Sequence, residues 1–164
     1  VPASAVLGTL DQAWSVMEHV ADQASAALCA ESLGAFEKVN ELTLEYLKVR
    51  EQFGRPIGKF QVLQHHMADM VIEYEHARSL VCQSSMKADS EDAAERGKAV
   101  SSTKVYLGEG GHKSCQSAIQ LHGGIGMTAE YELGDFVKRM AISEVLFGDV
   151  DHHLVRFGKL SYLD

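Results

Sequence analysis

A chain of 164 residues is the size of one large domain and is long enough to bury its own core. With Lys+Arg 15 against Asp+Glu 23, the formal charge of -8 excludes a broad electrostatic surface for nucleic acid or anionic membrane, and leaves only a local basic site for one anionic ligand. The cysteines Cys29, Cys82 and Cys115 are odd in number and far apart, which excludes a disulfide framework and a CxxC zinc or redox site.

A reducing cytoplasm is the expected compartment. No apolar run reaches the length of a membrane span, and the opening residues lack the basic and hydrophobic regions of a signal peptide. The start without Met reads as that of a fragment.

In chain order, the first apolar stripe recurs at three- and four-residue steps: Val20, Ala24, Leu28, Ala35, Val39, Leu42, Tyr46, Val49 and Phe53, interrupted at Glu31. That spacing predicts one long helix, ended by Gly54-Arg55-Pro56-Ile57-Gly58 because Pro56 disfavours helix at the residue before it. A second helix is predicted from about Phe60 to about Ala88, with Phe60, Leu63, Met67, Met70, Tyr74, Ala77 and Val81 on one face.

Asp89-Ser90-Glu91-Asp92 makes the turn, its carboxylates suiting the start of the next helix. The third segment, from about Ala93 to about Leu121, is rich in small residues and interrupted by Gly108, Gly110 and Gly111. Each internal glycine costs about 1 kcal/mol relative to alanine, so the segment either approaches a neighbour closely or kinks near Gly110. After the glycine turn Gly123–Gly126, helices are predicted around Leu133–Met140 and Asp149–Leu160, and no strand is expected. The fold class is all-α, an up-down helical bundle.

Read singly, the motifs say little about chemistry. Gly124-Ile125-Gly126-Met127-Thr128-Ala129 has the letters of a dinucleotide fingerprint but follows a helix, with no βαβ unit around it. The pairs His65-His66 and His152-His153 point apart on a helix, and His65 with Asp69 supplies too few ligands, so no metal site is predicted. There is no GxSxG, Cys/His constellation or Walker loop.

Two separated runs carry more when taken together: Arg50-Glu51-Gln52-Phe53-Gly54-Arg55-Pro56-Ile57 with Phe60-Gln61, and Gln120-Leu121-His122-Gly123-Gly124-Ile125-Gly126. Letters and spacing resemble the C-terminal domain of acyl-CoA dehydrogenases, from roughly Gly8 to the end. The resemblance implies that residues 1–164 are that helical domain, belonging to an enzyme with an N-terminal helical and a middle β domain. It also implies FAD as cofactor, an acyl-CoA substrate, and a homo- or hetero-oligomer with another subunit of the family.

By the same resemblance, Arg50 would contact the FAD diphosphate of a neighbouring subunit. Phe53 and Gln61 would surround the adenine half, and Gln120 with the backbone of Gly123 and Gly124 would receive the adenosine diphosphate portion. A guanidinium suits the first task because it stays charged and donates paired hydrogen bonds.

The family removes hydrogens from the α and β carbons of an acyl thioester with a carboxylate base, commonly a Glu before a Gly in the turn leading to the last helix. Here that turn is Leu146-Phe147-Gly148-Asp149, with Phe147 in the base position. A second family arrangement places a Glu in the first long helix beside an Arg, where this chain has Ala24 and Ser25. Asp149 is therefore the candidate substitute base, with helix N-capping as its structural alternative, and Asp151 stands behind it. Glu130 is expected to pair with Lys138 or Arg139. The competing functional class is a non-enzymatic helical oligomerisation module that has lost flavin.

Overall fold

The computed structural model describes residues 2–162. Helix α1 (Trp14–Val49) is followed by a hairpin of two-residue strands, β1 (Glu51–Gln52) and β2 (Arg55–Pro56), and a 3-10 turn, Ile57–Lys59. Helix α2 is Gln61–Lys87. Helices α3 (Ala93–Tyr106) and α4 (His112–His122) form one rod joined by a π-helical turn, Leu107–Gly111. A 3-10 turn at Gly123–Met127 leads to α5 (Leu133–Val145) and α6 (Val150–Tyr162). Helix α1 packs along α2, α4 and α5, while α3 lies between α2 and α6.

The all-α expectation holds, with two local departures at the end of α1. The helix stops at Val49 and not at Phe53, because Arg50 turns to extended backbone (ψ 120) while its N–H still donates to the Tyr46 carbonyl at 2.9 Å. Phe53 and Gly54 both have positive φ, 55 and 74, the geometry of a tight hairpin turn, so a short hairpin forms where no strand was expected.

The stripe predicted on α1 is buried at Leu28, Ala35 and Val39, but Val20, Val49 and Phe53 are exposed. The buried line runs instead through Asp22, Ser25, Cys29, Ser32, Phe36, Val39, Thr43 and Leu47. Polar members of that line satisfy themselves locally: Ser25 Oγ donates to the Ala21 carbonyl at 2.7 Å, Ser32 to Leu28 at 2.8 Å and Thr43 to Val39 at 2.7 Å. Hydroxyls bonded one turn back behave as small core residues, and hydropathy does not register them as buried.

On α2 the predicted face is the observed one, with Met67, Met70, Ala77 and Val81 in the core. Asp92 caps α3 as its carboxylate accepts the N–H groups of Ala94 at 2.9 Å and Glu95 at 3.1 Å, and these bonds hold its pKa below the usual value.

In the glycine-rich rod, close approach is what occurs. A Cβ on Gly108 would stand 2.5 Å from Val150 Cγ2, and one on Gly111 would stand 2.7 Å from Met140 Cε. The π turn widens the helix by one residue and so keeps both glycines facing their neighbours without breaking the rod.

Candidate functional site

The six residues of the two runs lie on exposed surface at one end of the bundle. Arg50 caps α1, Phe53 sits at the hairpin tip with 89% of its surface open, and Gln61 opens α2. Gln120, Gly123 and Gly124 are also exposed, at the end of α4. The hairpin is braced, since the Arg50 carbonyl accepts the Ile57 N–H at 2.8 Å and the Arg55 guanidinium covers the Phe60 ring at 4.3 Å. Phe53 meets Phe60 edge-on at 6.0 Å.

Gly123 ends α4 at φ 64, and a Cβ on Gly123 or Gly124 would meet nothing within 4 Å, so the backbone is open to a ligand. Helix ends distant in sequence are brought together here, because His122 stacks on Tyr46, one turn before Arg50, with centroids 4.5 Å apart.

The α5–α6 turn is the second assembly. Lys104 Nζ, on the buried face of α3, donates to the carbonyls of Ser143 at 2.7 Å, Glu144 at 2.9 Å and Leu146 at 2.8 Å. These are the free carbonyls at the end of α5, where a cation is favoured by the helix dipole. Burial pulls the Lys104 ammonium below the ordinary lysine value.

His153 holds the same turn from α6. The Phe147 carbonyl, 3.2 Å from Nε2, can only accept, so Nε2 carries the proton and Nδ1 accepts the Ser101 hydroxyl at 3.1 Å. Burial, reinforced by the Lys104 charge, pushes the His153 pKa down to about 4. The folded chain therefore stays neutral at His153 where the unfolded chain, at about 6.5, already binds a proton. Stability contributed by this site is complete above about pH 6.5 and is lost as pH falls toward 4, by about 1.4 kcal/mol per pH unit. Denaturant titrations across that window should show the slope, and His153→Gln should flatten it.

Phe147 has φ 58, an uncommon conformation for an aromatic residue, and lines a groove of about 920 Å³ between α1 and α6 with Trp14, Met17, Ala21, Asp151 and Val155. Asp149 does not line it. Its Oδ1 accepts the His152 N–H at 2.9 Å as the N-cap of α6, and it borders a separate shallow groove with Glu109, His112 and Glu144. In this structure Asp149, the candidate substitute base, takes up the N-capping role that was its structural alternative. Ser25 lines the main groove but spends its hydroxyl on Ala21, and Ala24 offers no acid.

On the groove floor, Asp22 binds Arg96 Nε at 3.0 Å and Arg156 Nη2 at 3.0 Å, and Glu18 accepts Arg156 Nη2 at 3.1 Å. Asp22 and Arg96 are 2% and 3% exposed. Sequence reading missed this network together with Lys104 and His153. The available signal was ionisable residues interrupting small-residue helical faces. Glu130 is not the partner of Arg139, which forks onto Glu31 of α1, with Nη2 to Oε2 at 2.8 Å, while Lys138 pairs with Asp135 at 2.8 Å. Among the described residues, no cluster of three or more His, Cys, Asp or Glu could hold a metal, and no helix is long and apolar enough to cross a membrane.

The bundle thus presents an arginine, an exposed aromatic hairpin and an open glycine turn at the Arg50 end of α1, and a groove under α6 at the opposite, Trp14 end. Residues 11–158 match the acyl-CoA dehydrogenase C-terminal domain, and the chain belongs to the acyl-CoA dehydrogenase family.

It is similar to the acyl-CoA dehydrogenase IpdE2 of Mycobacterium tuberculosis (strain ATCC 25618 / H37Rv), at 40% identity over 120 residues, covering 73% of this chain and 36% of IpdE2. Among solved structures, a variant of the Tcur3481-Tcur3483 steroid ACAD superposes with TM-score 0.79 at 35% identity, covering 85% of this chain and 38% of that one. PigA with FAD and proline superposes with TM-score 0.75 at 30% identity, covering 83% and 35%. The chain thus spans little more than a third of the length of these relatives.

Proposed function

We propose that this chain serves an FAD-dependent acyl-CoA dehydrogenase assembly by completing the flavin site of a neighbouring subunit, while its own acyl groove lacks a base. The observation that carries the proposal is the assembled, exposed corner of Arg50, Phe53, Gln61, Gln120, Gly123 and Gly124, set against Phe147 at the turn where the family places a carboxylate. The residues fit the cofactor. In a chain of net charge -8 the hairpin concentrates Arg50, Arg55 and Lys59, and the glycine turn leaves its backbone open.

Arg50 would hold the diphosphate by paired hydrogen bonds, the Phe53 ring and Gln61 would face the adenine half, and Gln120 with the backbone at Gly123 and Gly124 would seat the adenosine diphosphate portion. Bound FAD supplies the hydride acceptor for α,β-dehydrogenation of an acyl-CoA thioester. That reaction also needs a base for the α proton, and Phe147 can take none. Of the carboxylates in the groove, Glu18 and Asp22 are committed to arginines, which leaves Asp151 as the one to test beside Asp149. The name Tcur3481-Tcur3483 of a solved relative supports a two-component assembly, in which the partner subunit would carry a competent base.

The test is the full-length subunit, expressed with its neighbouring homologue and purified as the oligomer. Flavin absorbance is expected, and Arg50→Ala should weaken FAD retention by about tenfold to a hundredfold, the value of a charge-assisted hydrogen-bonded contact. Turnover by the subunit alone that falls with Asp149→Asn or Asp151→Asn would overturn the base-free reading. A colourless assembly would favour a helical oligomerisation module without flavin.

A further inference from the structure

His122 is 3% exposed and takes no part in the cofactor contacts assigned above. Its ring lies nearly parallel to Tyr46, 26° between planes at 4.5 Å, and Tyr131 leans on it at 5.1 Å and 49°. The Ala118 carbonyl, 2.8 Å from Nδ1, can only accept, so Nδ1 bears the proton and Nε2 accepts the Tyr131 hydroxyl at 3.2 Å. Burial lowers the His122 pKa, in keeping with a neutral ring. Gly126 packs closely on the end of α4 beside His122, since a Cβ there would stand 3.0 Å from His122 Cβ and 3.2 Å from the Ile119 carbonyl.

One imidazole therefore joins three pieces of chain. Tyr46 is one turn before Arg50 on α1, His122 lies between Gln120 and Gly123 at the end of α4, and Tyr131 stands just ahead of α5. We propose that His122 is the positioning residue of the cofactor corner, fixing Gln120, Gly123 and Gly124 relative to Arg50. The proposal rests on the reading of that corner as a flavin contact. Contacts offered by two helices act jointly on one ligand only if their separation is set before binding. Otherwise the cost of ordering them falls on the binding step.

The experiment titrates FAD into the apo form of the full-length subunit in its native oligomer, follows quenching of flavin fluorescence, and measures ADP as a competitor. His122→Leu, which loses the ring and both hydrogen bonds, is expected to raise the FAD Kd tenfold or more and to weaken ADP by a similar factor. Saturating FAD should then restore turnover with acyl-CoA KM unchanged. His122→Phe, which keeps the stack, should recover part of the affinity.

Tyr46→Leu removes the other half of the stack and should weaken FAD as well, which keeps the test open should His122→Leu fail to fold. A merely structural His122 would shift the apo Tm and leave the FAD Kd alone. FAD affinity within twofold of the parent in both His122→Leu and Tyr46→Leu, with Arg50→Ala and Gln120→Ala still weak, would overturn the positioning role. If Arg50→Ala and Gln120→Ala also bind FAD normally, the reading of the corner fails and the proposal goes with it.

Discussion

Asp22→Asn is expected to lower stability by about 3 kcal/mol. Asp22 is the hub of a charge network tying the first half of α1 to α3 and α6, and it receives hydrogen bonds from both Arg96 and Arg156. Arg96 is 3% exposed, so the neutral amide would leave its guanidinium without a counter-charge in a place that water does not reach.

Truncating one member of a buried pair typically costs about 3–5 kcal/mol, and the lower end applies because Arg156 keeps Glu18 and Arg96 keeps the Ser90 carbonyl at 2.6 Å. Glu18→Gln should cost under about 1 kcal/mol, since its side chain is 33% exposed and water screens the pair. Thermal or denaturant unfolding of the two variants side by side checks the ranking, and equal losses would contradict the hub.

Lys104→Met keeps the stem and removes the charge, and is expected to cost about 2–4 kcal/mol. Three carbonyls at the end of α5 lose their donor, each worth about 1–3 kcal/mol if left buried and unpaired. Two considerations lower the sum: the exposed Leu146 can recruit water at its carbonyl, and the variant no longer carries the desolvation that depresses the lysine pKa. The loss should be local before it is global, so backbone hydrogen exchange over residues 145–153 should accelerate more than exchange in α2. Uniform acceleration throughout the bundle would mean that Lys104 does not hold this turn in particular.

The sequence was most informative where side-chain character and burial agree. Met67, Met70, Ala77 and Val81 mark one face of α2 and are the core, and Asp92 sits where an N-cap was expected and is one. It was least informative on α1. There Ser25, Ser32 and Thr43 are buried by bonding their own helix, and Asp22 is buried because two arginines far along the chain meet it. The candidate cofactor residues were legible through resemblance, as exposed polar and glycine positions leave no periodic trace. Lys104 was not singled out, His153 was weighed only as half of a metal-binding pair and His122 stood only as a letter of the second run, because their roles lie in partners 39, 52 and 9 residues away.

By itself, then, the sequence determined the helical class, the face of α2 and the interrupted glycine rod, since these reside in local spacing, and through resemblance the two runs that point to the family. Only the tertiary structure decided where the side chains of that turn point. Phe147 and Asp149 are two residues apart, and letters alone allowed the carboxylate to reach the groove. The fold sends Phe147 to the groove and ties Asp149 to the α6 N-terminus, because Lys104 and His153 fix the turn from other helices and free helix N–H groups take the nearest acceptor.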